Sequence, residues 1–254
     1  MIKHTKPNKS CIPGFWEIEE DPDVIPGDRN IISRFNVDGN GVLMIHDFLS
    51  DKTCNILIKM FNKSKIQAPV SVNGLKDEVL GIGSKRATGW SENIANKLTK
   101  LILPYLPKLY CNELTATDWW QDGKHKVWNP VAISPMLRFM RYEKDSEHYA
   151  HYDAGYFYDD NIHRTLKSFV LYLTTNNTGS TRFINDNQEK IPVWDRDHND
   201  WSRRVNNDEI LLESFPKKGK LLIFNHRLCH DVEQYDGQDG DRIIIRGDII
   251  YGRY

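Results

Sequence analysis

Leu137–Asp153, LRFMRYEKDSEHYAHYD, ends in His151-Tyr152-Asp153, and that ending decides how the rest of the chain is read. Apolar residues come first (Leu137, Phe139, then Tyr142) and give way to the His-x-Asp. Along an extended strand, side chains two apart share a face. His151 and Asp153 therefore aim at one point, with Tyr152 turned to the other side. An imidazole and a carboxylate on one face are two of the three ligands of a facial triad for non-haem Fe(II), and the third has to come from another strand. Gly219–Tyr251, GKLLIFNHRLCHDVEQYDGQDGDRIIIRGDIIY, supplies His230 and, after a Gly/Asp-rich turn, Arg242. Two other histidines compete for the third place. His226 lies shortly before His230, and His148 stands an odd number of positions from His151, so a strand would point it the other way.

The ordered set of His151-x-Asp153, a distal His230 and a basic Arg242 beyond a turn resembles the Fe(II)/2-oxoglutarate-dependent oxygenases, most closely their prolyl-4-hydroxylase-like branch. The resemblance runs from about Gly41 to Tyr254 and is densest from Leu137 onward. It implies an α+β, mainly β fold: a double-stranded β-helix (jelly roll) core with supporting N-terminal helices. It also implies Fe(II) held by His151, Asp153 and His230, with 2-oxoglutarate and O2 as cosubstrates. In the family pattern, His226 takes an earlier position and His230-Asp231-Val232 the ligand position.

Three protein ligands leave room for a 2-oxo acid and O2 on the metal. The far carboxylate of 2-oxoglutarate then needs a buried cation, and a planar guanidinium suits it. Arg242 stands where the family has its cosubstrate-binding base; Arg246 faces the same way by period two and is the runner-up. Tyr142 matches a family tyrosine near metal and cosubstrate, and Tyr172 one that bonds the far carboxylate; a place in the core is the alternative for each. Thr178–Phe183 resembles a Gly-Gly-Glu-Thr-x-Phe motif, with Thr178 and Ser180 replacing Gly and Glu, and Thr181 and Phe183 expected as packing residues.

The activity implied is hydroxylation of an unactivated C–H bond, most simply of a protein or peptide residue such as proline. The alternatives are a free amino acid or other small molecule, or a non-catalytic jelly-roll binding module. Loops 155–163 and 185–208 would meet a peptide, with Tyr156, Trp194 and Trp201 as contacts; ordinary loop packing is the rival reading of all three.

The 254 residues, 39% hydrophobic and 11% aromatic, are enough for one sizeable core. One domain over 1–254 is expected: an extension (1–40), a helical support region (41–130) and the catalytic core (131–254) with an insertion at 185–208. A net charge of −1 gives no reason to expect nucleic acid or an anionic membrane as partner. Cys11, Cys54, Cys111 and Cys229 are scattered, and no apolar leader follows MIKHTKPNKS. A disulfide framework is not expected, and a reducing, cytoplasmic setting is. No apolar run approaches the roughly 20 residues needed to span a bilayer. Oligomeric state is not written in these features.

Along the chain, Trp16 is an isolated anchor in a polar start. Gly41–His46 is strand-like, and Ser50 or Asp51 caps a helix to about Lys63 with Cys54, Leu57, Ile58 and Phe61 on one side. Ser91 caps a second helix carrying Ile94, Leu98, Leu101, Ile102 and Tyr105, ended by Pro104 and Pro107. Arg86 is expected as a surface or salt-bridged arginine, with a substrate-side role as the alternative. Trp119, Trp120 and Trp128 either wall the site or pack on the core. Leu166–Leu173, Gly179–Phe183, Gly219–Asn225 and Ile243–Tyr251 read as strands, and Lys217-Lys-Gly-Lys220 as a solvated loop.

Overall fold

The computed structural model describes residues 2–8, 12, 14–28, 31–37, 40–64, 68–69, 81–110, 127–160, 162–188, 191, 195–197 and 202–253. In chain order the elements are β1 (Phe15–Glu17), β2 (Ile32–Val37), β3 (Asn40–Ile45), α1 (Asp51–Lys63), β4 (Ala68–Pro69), β5 (Gly81–Trp90), α2 (Glu92–Ile102), β6 (Leu109–Tyr110), β7 (Val127–Ile133) and β8 (Met136–His151). β9 (His163–Tyr172), β10 (Thr181–Ile184), β11 (Ile210–Ser214), β12 (Leu221–Asn225), β13 (His230–Val232) and β14 (Arg242–Arg253) complete the set. No helix among the described residues is long and apolar enough to cross a membrane.

Both helices start where a side chain meets an orphan backbone donor. Ser50 Oγ accepts from Thr53 N at 3.3 Å, and Ser91 Oγ accepts from Ile94 N at 3.2 Å. Pro104 lies in the 3-10 turn Leu103–Tyr105 that closes α2.

The strands run in the order β11-β10-β13-β8-β14-β9-β12-β3-β2, with β5 on the other flank of β8. The first part of β8 pairs with β14 and β5, while its end pairs with β13. One strand thus passes from a large sheet to a small one, which curls the whole into a jelly roll. The sequence alternates accordingly. Leu137 and Phe139 of β8, Ile243 and Ile245 of β14, and Phe169 and Leu171 of β9 pack outward against α1 and α2. Met140, Tyr142, Ile244, Val170 and Tyr172 face inward with Phe183, Leu222 and Phe224. β14 is buried along almost its whole length because both faces are covered.

Residues 1–40 do more than lie over the domain: β1 adds in parallel to β5, and β2 pairs with β3 at the edge of the large sheet. The region 41–130 holds β3 to β7 as well as the two helices. The insertion is tied to the end of β8: Ala150 N donates to Arg203 O at 3.0 Å, and Arg204 pairs with Glu147 at 2.5 Å.

Candidate active site

The end of β8 carries the site, and two irregularities aim it. Asp145 sits at φ 64°, a left-handed conformation that Asp tolerates better than most residues. Beside it, β5 slips register between Ile82 and Ser84. Further on, His151 lies opposite His230, whereas Val232 lies opposite His148, so β8 spends one more residue than β13 over the same span. Such a bulge breaks the period of two. His148 therefore does not point away, as strict alternation predicts: it stacks on His151, ring centroids 4.2 Å apart and planes at 20°, and lines the same cavity.

His151, Asp153 and His230 offer ligand atoms that all lie within 4.8 Å of one another. His151 Nε2 stands 3.9 Å from Asp153 Oδ1, and His230 Nε2 stands 4.0 Å from Asp153 Oδ2. His151 Nδ1 lies 2.7 Å from the Tyr149 carbonyl and His230 Nδ1 2.9 Å from that of Leu228. A carbonyl only accepts, so each Nδ1 carries the proton and each Nε2 presents a lone pair to the shared centre. Burial holds both imidazoles below their usual pKa, His151 at about 3, so they are neutral, as a metal ligand must be.

Asp153 is held from behind. Arg246 meets both its oxygens (Nη2–Oδ1 2.7 Å, Nε–Oδ2 3.0 Å), Ser168 Oγ donates to Oδ2, and Asp153 N donates to His226 O at 2.9 Å. Burial alone would raise this carboxyl, but Arg246 and then the neighbouring imidazoles hold it far below the carboxylate range. His226 stays outside the triad. It is buried with Nδ1 3.4 Å from Ser168 Oγ and Nε2 4.0 Å from Asp248 Oδ1.

Arg246, the runner-up for the cosubstrate carboxylate, is thus committed to Asp153, and it also reaches Asp248 at 3.4 Å. Arg242 is not committed. It is fully buried, its guanidinium 4.3 Å from the Tyr142 ring and 5.7 Å from that of Tyr172, and its Nε and Nη1 have no hydrogen-bond partner among the described residues. Nη2 donates to Thr181 Oγ1 at 3.4 Å, which also accepts from Tyr172 OH at 2.9 Å. Gly179, at φ +75°, presses on this arginine: a Cβ there would come within 2.9 Å of Arg242 Cδ.

Two expectations change here. Lys220 is no solvated loop residue: its Nζ lies 4.9 Å from the centre of the Tyr172 ring, and burial, then Arg242, lowers its pKa to about 8. Thr181 is more than a packing residue, since it lines the cavity. The signal for Lys220 was its parity with Leu222 and Phe224, which face inward. Buried, unsatisfied donors on Arg242 beside a second cation and two phenols fit one end of a dicarboxylate, and the triad fits the metal at the other.

Among the substrate-side residues, Tyr156 is 47% exposed and lies in a neighbouring groove with Tyr158, Trp90 and Arg138. Trp194 and Trp201 lie outside the described residues, as do Trp119 and Trp120. Trp128 is buried beneath Arg164, whose guanidinium is 4.1 Å from its ring, so it belongs to the core. Arg86 lines the metal cavity.

No protein-family model matches the sequence, and no curated protein sequence does. Solved structures do match. HygX from Streptomyces hygroscopicus, with nickel and 2-oxoglutarate bound, superposes with a TM-score of 0.51 at 14% identity, over 85% of this chain and 84% of that one. OsALKBH1 gives a TM-score of 0.51 at 12% identity, over 85% of this chain and 99% of that one. The chain folds as they do. A prolyl-4-hydroxylase from Pseudomonas putida gives a TM-score of 0.47 at 16% identity, over 83% of this chain and 92% of that one. The jelly roll expected from the resemblance is thus the fold found, and its inner face carries the His-Asp-His set.

Proposed function

We propose that the protein is an Fe(II)- and 2-oxoglutarate-dependent oxygenase that hydroxylates an unactivated C–H bond, with a protein or peptide residue such as proline as the substrate class implied by the resemblance. The observation that carries the reading is the pairing of the His151–Asp153–His230 set with Arg242, a buried guanidinium whose Nε and Nη1 lack partners among the described residues. When bound, the metal and 2-oxoglutarate supply the O2 chemistry, giving succinate, CO2 and a hydroxylated product.

The chain's own residues do the placing. The imidazoles of His151 and His230 present lone pairs because their Nδ1 protons are spent on backbone carbonyls. Arg246 and Ser168 fix the Asp153 carboxylate and keep it ionised. Arg242 and Lys220 give the deep end of the cavity a positive potential, and Tyr142 and Tyr172 wall it. A cosubstrate carboxylate there would satisfy donors now buried without partners, which supports a tight and oriented fit.

The test is succinate release under air with Fe(II), 2-oxoglutarate and pooled peptides, amino acids or nucleic acids. The reading predicts release that one pool stimulates and that disappears in His151→Ala. Equal release by wild type and His151→Ala would contradict it.

A further inference from the structure

Among the described arginines that line the metal cavity beside the triad, Arg86, Arg138 and Arg246, Arg86 has nothing to bind; Arg242, at the deep end, is the one assigned above to the cosubstrate. Arg138 and Arg246 line the same space, and each is ion-paired with a carboxylate. Arg138 Nη1 donates to Asp248 Oδ2 at 2.8 Å, and Arg246 holds Asp153 and Asp248. Arg86 has no hydrogen-bond or ion-pair partner among the described residues.

Strand pairing puts it there. β5 lies against β8 with Arg86 opposite Met140 and Thr88 opposite Arg138, beside the inward-facing positions of β8. Three guanidinium groups thus face this part of the cavity against two carboxylates, Asp153 and Asp248, each already bonded to arginine. Arg86 is left over.

That surplus has a cost. Burial first, and then the charges of Arg138 and Arg246, lower the Arg86 pKa to about 10, so it remains a cation at neutral pH but an unfavourably placed one. A half-buried charge that has lost part of its hydration and is repelled by its neighbours gains most from an anion placed against it. A guanidinium offers a carboxylate or phosphate two parallel donors. The cosubstrate's far carboxylate already has Arg242 and Lys220.

We infer that Arg86 recognises an anionic group, a carboxylate or a phosphate, on the substrate itself, and holds it on the β5 flank of the metal cavity. This rests on the oxygenase reading and narrows its substrate class: the oxidised C–H bond lies a few bonds from an acid group. A neutral prolyl residue within a neutral peptide lacks that group. A free acid, an acidic peptide and a phosphorylated compound each carry it.

Titration calorimetry on the full chain loaded with Mn(II) and 2-oxoglutarate tests this with four probes: N-acetylproline, N-acetylprolinamide, inorganic phosphate, and an N-acetylated, C-terminally amidated Pro-Glu dipeptide. At least one anion should bind wild type tenfold or more tightly than the neutral amide. Arg86→Gln should erase that preference, and Arg86→Lys should restore part of it. Which of the three anions wins identifies the source: free acid, acidic side chain or phosphate.

Three results overturn the inference: no preference for anions over the amide, a preference that survives Arg86→Gln, or a loss of 2-oxoglutarate affinity in Arg86→Gln as large as in Arg242→Ala. In the last case Arg86 would be a cosubstrate clamp. Loading is measured first, and its failure in wild type sinks the oxygenase reading. The anion preference, titrated also on the unloaded protein, tests Arg86 by itself.

Discussion

A single buried residue, Arg242, does most to distinguish this cavity from a packed core. Its Nε and Nη1 have no partner among the described residues, and an unpaired donor in a protein interior costs on the order of 1–3 kcal/mol per group. A 2-oxoglutarate carboxylate would remove that cost. Arg242→Ala should therefore weaken 2-oxoglutarate by a hundredfold or more while leaving metal binding to the triad nearly intact, as read by calorimetry with each ligand in turn. Equal weakening of both would contradict the division of labour. Gly179 offers a gentler probe of the same contact. A methyl group there would meet Arg242 Cδ at 2.9 Å, and the glycine's φ of +75° disfavours any side chain. Gly179→Ala should lose 2-oxoglutarate affinity with little change in fold, and wild-type affinity in this variant would show that Arg242 has room to move.

At the scale of the element, β8 is a strand that bends. Asp145 at φ 64° and the extra residue opposite β13 re-aim its last turns, bringing His148 and His151 together on one side. Holding a β-branched residue in that left-handed conformation costs about 1–2 kcal/mol. Asp145→Val should lower stability by that amount in denaturant unfolding and disturb the triad, while Asp145→Gly should be close to neutral. Equal effects of the two would remove the bulge from the account. These irregularities mark the limit of what the sequence discloses. The Ser50 and Ser91 caps and the spacing of His151 and Asp153 were readable because each is a local rule. The position of His148 was not, since a bulge depends on the partner strand. Lys220 and Asp248 were missed for another reason: charged residues are ordinarily on the surface. On the same ground Arg86 reads as a surface residue in preference to the substrate-side alternative, although it lines the cavity. The parity that turns Lys220 inward with Leu222 and Phe224 has meaning only once those positions are known to face the cavity. The same holds for β1 and β2, whose short segments become strands only because β5 and β3 offer them edges.

Over the whole molecule, burial sets how stability responds to acid. His148, His151, His226 and His230 are all pushed below the usual histidine pKa by burial, His226 to about 4 and His151 to about 3. Well above the unfolded value of 6.5, at about pH 7.5, these groups are neutral both folded and unfolded. As pH falls through 6.5, the unfolded chain takes up protons that the folded one refuses, so stability drops. By pH 5, His151 and His226 should each cost about 2 kcal/mol. Urea unfolding of the metal-free protein at pH 7.5, 6 and 5 should show this fall, and a flat profile would contradict the buried, neutral imidazoles. One ion shared by His151, Asp153 and His230 next to the Arg242 pocket is what every other role in the cavity depends on. The most direct measurement is anaerobic addition of Fe(II) and then 2-oxoglutarate to wild type, Asp153→Ala and Arg242→Ala, followed by visible absorption. A weak charge-transfer band in wild type that is absent from Asp153→Ala, and that needs far more 2-oxoglutarate in Arg242→Ala, is the predicted result. No band in wild type, or the same band in all three, would contradict it.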